Sequence, residues 1–308
     1  MKHIVFYSGG IGSWATVKRV VKKHGVKDLI LLFTDTLIED KDLYRFLIET
    51  SQEIFNIDCR DLIKMTEDIP DVSHKTMNLR KTYLMDLSDK VSKRLSQFKW
   101  IADGRDPWDI FKDVRWIGNS RIAQCSHMLK QDMSAKWLEG TYSPDECVLY
   151  LGIDWTEEHR TKAPTKNWRP YTVGFPMCEE PYLTKDEMLE SLEELGVKIP
   201  RLYEMNFSHN NCGGFCVRAG QGHFINLLKQ NPELYRYHED KEKEMRNFLN
   251  KDVSILRRTR NKVRQNLTLE QLRRIHETGQ EIDMIDIGGC GCFIQYEEVD
   301  KQWVNIKH

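Results

Sequence analysis

A glycine-rich segment near the amino terminus, Ser8-Gly9-Gly10-Ile11-Gly12-Ser13, has the composition of an anion-binding loop. Its glycines allow a tight turn and a close approach of the backbone to a ligand. A helix that begins at this loop would direct free N–H groups and the positive end of its dipole at a phosphate. The hydroxyls of Ser8 and Ser13 add donors, and the lysine of a Walker-type loop is absent.

Cysteines form a second group of residues that could bind a metal or take part in redox chemistry. The chain has 8 cysteines, and four of them stand in two glycine-rich pairs, Cys212 with Cys216 and Cys290 with Cys292. Thiolates from two short loops are a common ligand set for an iron–sulfur cluster or for zinc. We predict that these four cysteines converge on one metal site; buried or redox-active thiols are the alternative. A shared metal would also tie the carboxyl-terminal segment to the body of the protein.

A basic stretch lies between the two cysteine pairs. Arg257 to Arg264 holds five Lys or Arg residues in eight positions. It predicts either a contact with a nucleic-acid backbone or one solvated face of a helix. The whole chain has 46 Lys+Arg and 47 Asp+Glu, which argues against a protein that wraps nucleic acid non-specifically and confines any such contact to a local patch.

Sequence composition also bears on the compartment and on membrane partners. No apolar run approaches the length of a transmembrane helix, and the first residues lack the pattern of a signal peptide. We therefore expect a cytoplasmic protein without a membrane partner. The cysteines would then lie in a reducing compartment, where disulfides are uncommon.

The elements that must position these residues alternate between strand and helix. Apolar runs predict strands over His3 to Tyr7, Asp28 to Phe33 and Cys147 to Ile153, and helical periodicity covers Ser13 to His24 and Asp40 to Phe55. This order indicates an α/β fold with a parallel sheet flanked by helices. Ligands bind such sheets at the carboxyl ends of the strands.

The pattern changes after about residue 175, where prolines punctuate the chain and charged helical segments follow. We predict a nucleotide-binding domain over residues 1–175 and a mostly helical, cysteine-containing region over 176–308. The helical segments are expected over four ranges: Thr184 to Leu195, Gly222 to Gln230, His238 to Asn250 and Thr268 to Thr278.

Four segments in order resemble one known family. The Ser8 to Ser13 loop is similar to the Ser-Gly-Gly-X-Asp-Ser loop of PP-loop ATP pyrophosphatases, with Gly12 in place of the usual Asp. Three further segments resemble motifs of the phosphoadenosine phosphosulfate reductase-like branch: Thr34 to Thr36, Arg121 to Lys130 and Gly152 to Arg160. The region beyond residue 175 resembles phage and bacterial members that end in Gly-Cys-Gly-Cys-Phe, a motif that stands here at residues 289–293. The resemblance implies an adenine nucleotide alpha hydrolase-like fold.

That resemblance assigns roles to individual residues. It implies that Lys130 and Arg160 hold phosphates and that Asp35 binds a ribose hydroxyl or a metal. The alternatives are a surface position on a helix for Lys130, a salt bridge in a loop for Arg160 and a helix cap for Asp35. Arg121, in the same motif as Lys130, joins the nucleotide-binding set. Cys125 would be a nucleophile, a sulfur carrier or a ligand, with a small buried side chain as the alternative. The implied cofactors are ATP or another adenylyl nucleotide with Mg²⁺.

Three functions remain open at this point. The first is adenylation of an acceptor with release of pyrophosphate, for sulfur transfer or for base modification of tRNA or DNA, with a sulfur donor as a further partner and a homodimer as a candidate assembly. The second is reduction of phosphoadenosine phosphosulfate or adenylyl sulfate. It ranks lower because no Glu-Cys-Gly motif stands near the carboxyl terminus and Ser126 replaces one of the paired cysteines. The third is nucleotide binding without catalysis.

Overall fold

A five-stranded parallel sheet forms the centre of the protein. The structure is a computed structural model that describes residues 1–260 and 262–288. The strands are β1 Lys2–Phe6, β2 Leu29–Asp35, β3 Phe98–Ala102, β4 Cys147–Tyr150 and β5 Thr172–Gly174, in the spatial order β3-β2-β1-β4-β5. All four neighbouring pairs are parallel. The predicted α/β architecture is thereby confirmed.

Helices connect the strands and continue beyond them. Those of the first part are α1 Ile11–His24, α2 Lys41–Phe55, α3 Arg60–Met65, α4 Met77–Arg94, α5 Pro107–Asp113, α6 Gln124–Ser126, α7 Met133–Glu139 and α8 Lys162–Asn167. A π-helical turn, His127–Asp132, joins α6 to α7. The second part has α9 Lys185–Glu193, α10 Arg201–Glu204, α11 Gln221–Gln230, α12 Pro232–Leu249 and α13 Leu269–Glu277.

Both faces of the sheet are covered by apolar packing. Val5 and Tyr7 pack into the larger core, whereas Ile4 and Phe6 pack into the smaller one on the opposite face. This follows from the alternation of side chains along a strand. Burial on both faces explains why β1 and β2 read as continuous apolar runs.

The second part of the chain shares the larger core with the first. Leu202, Phe215 and Phe224 are buried in the same cluster as Trp108 and Phe111. The change of sequence pattern near residue 175 therefore does not mark a break in the core.

The helical ends follow local capping rules. Asp40 accepts a hydrogen bond from the amide of Asp42 at the start of α2, and Thr184 and Thr268 form capping boxes at α9 and α13. Helix α12 begins at Pro232, six residues before the predicted start at His238. Asn231 caps this earlier start by accepting from the amide of Leu234, and a proline in the first helical turn needs no hydrogen-bond acceptor for its nitrogen.

The basic stretch is a β-hairpin. Strands β6 Leu256–Arg260 and β7 Val263–Leu267 pair antiparallel with one another and form a separate two-stranded sheet. The alternative interpretation of this stretch as a helix face is therefore wrong. Among the described residues, no helix combines the length and the apolar character that a membrane span requires.

Candidate functional site

The glycine-rich loop connects β1 to α1 at the carboxyl edge of the sheet. Gly9 has φ of 80°, a conformation that favours glycine, and a β-carbon there would lie 2.7 Å from Cγ of Leu43. The amides of Gly9, Gly10 and Gly12 donate to no described residue. The predicted loop therefore presents free N–H groups at a helix amino terminus, the arrangement that favours an anion.

The loop also lies at the point where the strand order reverses. From β1 the chain proceeds to β2 and β3 on one side, and β4 and β5 lie on the other side. Connections leaving β1 and β4 therefore diverge, and such a crevice is the usual ligand site of open α/β sheets. Gly152, which follows β4, meets Gly12 here. A β-carbon on Gly152 would lie 2.9 Å from the carbonyl oxygen of Gly12.

This contact gives a physical reason for the glycine at position 12. A β-carbon on Gly12 would lie 3.3 Å from the carbonyl oxygen of Gly152, tighter than ordinary van der Waals contact between these atoms. An aspartate at position 12 would thus require the Gly152 backbone to shift by a fraction of an ångström.

Arg160 lies on the 3₁₀ segment Trp155–Thr161 that follows β4. Asp154 begins this segment by accepting from the amide of Thr156 at 2.8 Å. The Arg160 guanidinium is largely buried and forms an ion pair with Glu157. Gly152, whose backbone contacts Gly12 of the loop, precedes this segment in the chain. The described ion pair of Arg160 with Glu157 is the salt bridge that was the alternative to phosphate binding.

Lys130 forms a buried ion pair that the sequence did not predict. Its Nζ lies 3.3 Å from Oε1 of Glu39, and both side chains are almost inaccessible to solvent. Glu39 also accepts from the hydroxyl of Thr36 at 3.0 Å and from the amide of Cys212. The pair therefore connects the end of β2, the π-helical turn and the cysteine loop of the second part.

Arg80 of α4 holds the backbone that carries Glu39. Its guanidinium donates to the carbonyls of Leu37 at 2.8 Å, Pro70 at 2.6 Å and Glu39. Leu37 has φ of 64°, an uncommon conformation for a non-glycine residue. A fully buried arginine thus fixes a strained turn at the site edge. No spacing pattern in the sequence marked Arg80, whereas an acidic residue shortly after a buried strand was the available signal for Glu39.

Asp35 ends β2 but faces the core. One carboxylate oxygen accepts from the amide of Leu37 at 2.7 Å and from the hydroxyl of Tyr44 at 2.9 Å, and the other accepts from Nε1 of Trp100 at 3.0 Å. Burial, followed by the charge of Glu39, raises the pKa of Asp35 to about 6. The carboxylate organises the strand end in this conformation. Its assigned role toward a ribose or a metal stays a prediction and would require this network to rearrange.

A segment of the second part covers the glycine-rich loop. The hydroxyl of Tyr203 accepts from the amide of Ile11 at 3.0 Å, and Nδ2 of Asn210 donates to the carbonyl of Gly9 at 2.9 Å. Gly213 packs so closely on Ile38 that a β-carbon would lie 2.4 Å from its carbonyl oxygen. The Tyr203 hydroxyl therefore accepts the hydrogen bond of an amide that a phosphate would use. Oδ1 of Asn210 is buried, and no described residue donates a hydrogen bond to it.

Three cysteines meet beneath this cover. Cys125, Cys212 and Cys216 line one cavity of about 20 Å³ together with Lys130. A hydrogen bond with Cys216, and then burial, raise the pKa of the Cys212 thiol well above its usual value. The sequence patterns assigned Cys125 a role separate from the metal site of Cys212 and Cys216. The structure brings all three residues to one cavity.

The four-cysteine metal site stays a prediction. Cys290 and Cys292 lie outside the described residues. Within the described ranges, no group of three or more His, Cys, Asp or Glu side chains is arranged to hold a metal ion. Nearby, the rings of His209 and His223 stack at 5.5 Å, and burial lowers the pKa of His209 to about 3, so that His209 is neutral.

Arg121 is not brought to this group by any described contact. It is exposed, and its amide donates to Oδ1 of Asn119 at 2.9 Å in a turn before α6. Among the predicted segments, the structure thus brings Gly12 of the loop against Gly152 at the start of the Gly152 to Arg160 segment, and it brings Lys130 together with Cys125, Cys212 and Cys216. No family model matches the chain, and no curated protein matches it either.

Proposed function

We propose that the chain is a PP-loop enzyme of the phosphoadenosine phosphosulfate reductase-like type, with the adenine nucleotide alpha hydrolase-like variant of the α/β fold. It would bind ATP or a related adenylyl nucleotide, adenylate an acceptor and release pyrophosphate. The main support is the loop at the reversal of strand order, where the amides of Gly9, Gly10 and Gly12 donate to no described residue and the backbone of Gly12 contacts Gly152. Two segments singled out from the sequence therefore border one crevice.

In this proposal the nucleotide phosphates bind at the amino terminus of α1. The amides of Gly9, Gly10 and Gly12 donate to phosphate oxygens, and the dipole of this 14-residue helix favours their charge. The phosphates would displace the Tyr203 hydroxyl from the Ile11 amide. Arg160 would then exchange its Glu157 contact for the phosphates, where it stabilises charge that develops as pyrophosphate leaves.

Metal and partner roles belong to the same proposal. Mg²⁺ would accompany ATP, with Asp35 as the assigned carboxylate after rearrangement. The thiols of Cys212 and Cys216 are soft ligands suited to zinc or to an iron–sulfur cluster with Cys290 and Cys292. The acceptor would be a nucleic-acid base in tRNA or DNA, or a sulfur-carrying group. We place the reaction in the cytoplasm, and a homodimer is the assembly we would test first.

One observation favours a second candidate, the reduction of an adenylyl sulfate. Such a reaction needs a thiolate that attacks the sulfate sulfur and releases the nucleotide, and a second thiol that releases sulfite and leaves a disulfide. Cys125, Cys212 and Cys216 line one cavity with Lys130, so two thiols are available near a cation. Thioredoxin-dependent release of sulfite would identify this activity.

Binding and turnover of ATP test the main proposal. A β-carbon on Gly10 would make only ordinary contacts, 3.6 Å from the Tyr203 hydroxyl, so Gly10→Ala is the matched control. Gly10→Val adds methyl groups in the space where the phosphate approaches. It should abolish ATP binding, which calorimetry measures. Unchanged binding by Gly10→Val would falsify the site.

Turnover distinguishes the remaining functions. Arg160→Ala should reduce pyrophosphate release by about 10²-fold, the usual effect of removing one such donor. Arg60→Ala, an exposed arginine on α3, serves as the control. Tight ATP binding by the parent with no formation of AMP and pyrophosphate would instead indicate a nucleotide-binding protein without catalysis.

A further inference from the structure

The hairpin of β6 and β7 is a rigidly anchored ribbon. At its base Leu256 and Leu267 pair with one another and are buried. The carboxylate of Glu242 accepts from the amides of Ile255 at 2.9 Å and Leu269 at 2.6 Å. A two-stranded hairpin alone is marginally stable in water, so these contacts keep the ribbon in one orientation on the body.

The two faces of the ribbon differ in chemistry. Residues opposite one another in an antiparallel pair share a face. The face that includes Leu256 and Leu267 is turned toward the core at its base. The other face carries Arg257 opposite Asn266 and Thr259 opposite Arg264. Arg257, Thr259 and Arg264 are exposed, so the outward face presents hydrogen-bond donors.

The sequence of the hairpin contains positive charge and no acidic residue. Residues 253–269 include Arg257, Arg258, Arg260, Lys262 and Arg264 and contain no Asp or Glu. Among the described residues, Arg257, Arg258, Lys262 and Arg264 form no ion pair. By contrast, the arginines before and after the hairpin are paired, Arg246 with Asp252 and Arg273 with Glu239, each at 2.8 Å. Nε of Arg258 is buried, and no described residue accepts a hydrogen bond from it.

This charge is concentrated on a chain whose formal net charge is −1. Self-repulsion among unpaired arginines is unfavourable unless a polyanion neutralises them. Arginine matches phosphate groups bidentately, and the major groove of B-DNA accommodates a two-stranded ribbon. The surface therefore fits a nucleic-acid backbone better than a compact anion, because its cations are spread along both strands.

We propose that the outward face of the β6–β7 ribbon docks a nucleic acid through its phosphates, with Arg257 and Arg264 as the principal contacts. The assignment rests on the proposed function in one respect, since it gives the acceptor of that reaction a place to bind. The docking itself requires neither ATP nor turnover.

Fluorescence anisotropy with a short DNA duplex and an RNA stem-loop of equal length tests the docking. The measurements are made without nucleotide over a series of salt concentrations. The double variant Arg257→Gln/Arg264→Gln should lose at least about tenfold in affinity. The slope of log affinity against log salt should fall by about 2, because each lost phosphate contact removes about 0.9. Which of the two probes binds more tightly identifies the natural class of acceptor.

Matched variants separate a docking role from a general charge effect. Arg60→Gln/Lys90→Gln removes the same charge from exposed positions on α3 and α4 and should leave affinity and slope unchanged. Arg257→Lys/Arg264→Lys keeps the charge and should retain most of the slope. If the Gln double variant fails to give the parental circular-dichroism melt, Lys262→Gln on the turn replaces it, with an expected loss of about 0.9 in slope.

Several outcomes would overturn the docking surface. The first is that the parent binds neither probe, and the second is that the ribbon and control variants lose affinity equally. The third is that polyglutamate competes as effectively as unlabelled DNA, which would indicate an acidic protein partner. Pyrophosphate release without nucleic acid is measured in parallel. A ribbon that fails to bind while this release persists would reject the docking and leave the proposed function standing.

Discussion

The two edges of the five-stranded sheet differ in volume and in chemistry. At the amino edge, the segments that precede β4 and β5 enclose a cavity of about 710 Å³, lined by Tyr142, Trp168 and Arg169 among others. At the carboxyl edge, the cavity beside Lys130 measures about 20 Å³. The segments that could do chemistry nevertheless lie at the carboxyl edge, where Ser8 to Ser13 follow β1, Glu39 follows β2 and Gly152 follows β4.

Free volume alone would therefore select the amino-edge cavity rather than the candidate site at the carboxyl edge. Little free volume remains at the carboxyl edge because Tyr203, Asn210 and the loop that carries Cys212 cover it. In the proposed function, nucleotide binding would displace part of that cover. The described lining of the amino-edge cavity includes no glycine-rich loop at a helix amino terminus. The following predictions compare substitutions at the two edges.

The largest expected effect concerns the buried ion pair at the carboxyl edge. Lys130→Ala leaves the Glu39 carboxylate buried without its cation and should lower the free energy of unfolding by about 3–5 kcal/mol, measured by urea denaturation. Lys136→Ala, at an exposed position on α7, is the control. The double variant Lys130→Met/Glu39→Gln should recover most of the loss, since it removes both charges. A loss in Lys130→Ala no greater than that in the control would contradict the role assigned to the pair.

A smaller effect should depend on pH. The pKa of Asp35 is raised from 3.8 to about 6 in the folded protein. A raised pKa means that the neutral carboxyl favours folding at low pH and that this contribution is lost as the pH rises from about 4 to about 6. Stability of the parent relative to Asp35→Asn should therefore decrease over this interval, by at most about 3 kcal/mol. Urea denaturation between pH 4 and 7 measures this difference, and a constant difference would refute the assigned pKa.

The contact between the two glycine backbones gives the next prediction. Gly152→Ala places a β-carbon 2.9 Å from backbone atoms of Gly12 and Ser13, which should lower stability by about 1–3 kcal/mol through overpacking. Gly10→Ala, whose β-carbon finds ordinary contact distances, should change stability by less than about 1 kcal/mol. Thermal unfolding of both variants checks the pair, and equal effects would mean that the two backbones are not closely packed.

The smallest effect is expected at the amino edge. Glu139→Ala changes an exposed residue that lines the 710 Å³ cavity. ATP affinity and pyrophosphate release should each stay within about twofold of the parent, because the Glu139 carboxylate is not a group that we assign to the phosphates. A large loss of turnover would move the candidate site to the opposite edge of the sheet.

Local sequence signals were sufficient for much of the architecture. The apolar runs of β1, β2 and β4 and the caps of α2, α9 and α13 were predictable, since each depends on residues close together in the chain. Strands β3 and β5 were missed. Lys99 interrupts the apolar pattern of β3, and β5 has only 3 residues, so that pairing with β2 and β4 defines both strands more than their composition does.

The basic hairpin shows the same limit. Five cations in eight positions were visible in the sequence, but their charge pattern does not distinguish a helix face from a two-stranded ribbon. Two tertiary contacts define the ribbon. Leu256 and Leu267 are buried in the core, and Glu242 on α12 accepts from the amides of Ile255 and Leu269, which flank the hairpin.

The sequence by itself determined the glycine-rich loop and the alternation of strands and helices, because backbone conformation and hydrophobic periodicity are local properties. The candidate phosphate ligands Lys130 and Arg160 were expected from the resemblance of their motifs to a known family. Only the tertiary structure decided that Lys130 pairs with Glu39, that Arg80 supports the turn carrying Glu39, and that Cys125 joins Cys212 and Cys216. These partners are distant in sequence. Burial removes water as an alternative partner for a charge or a polar group, so the packed fold selects which of the many available groups must meet.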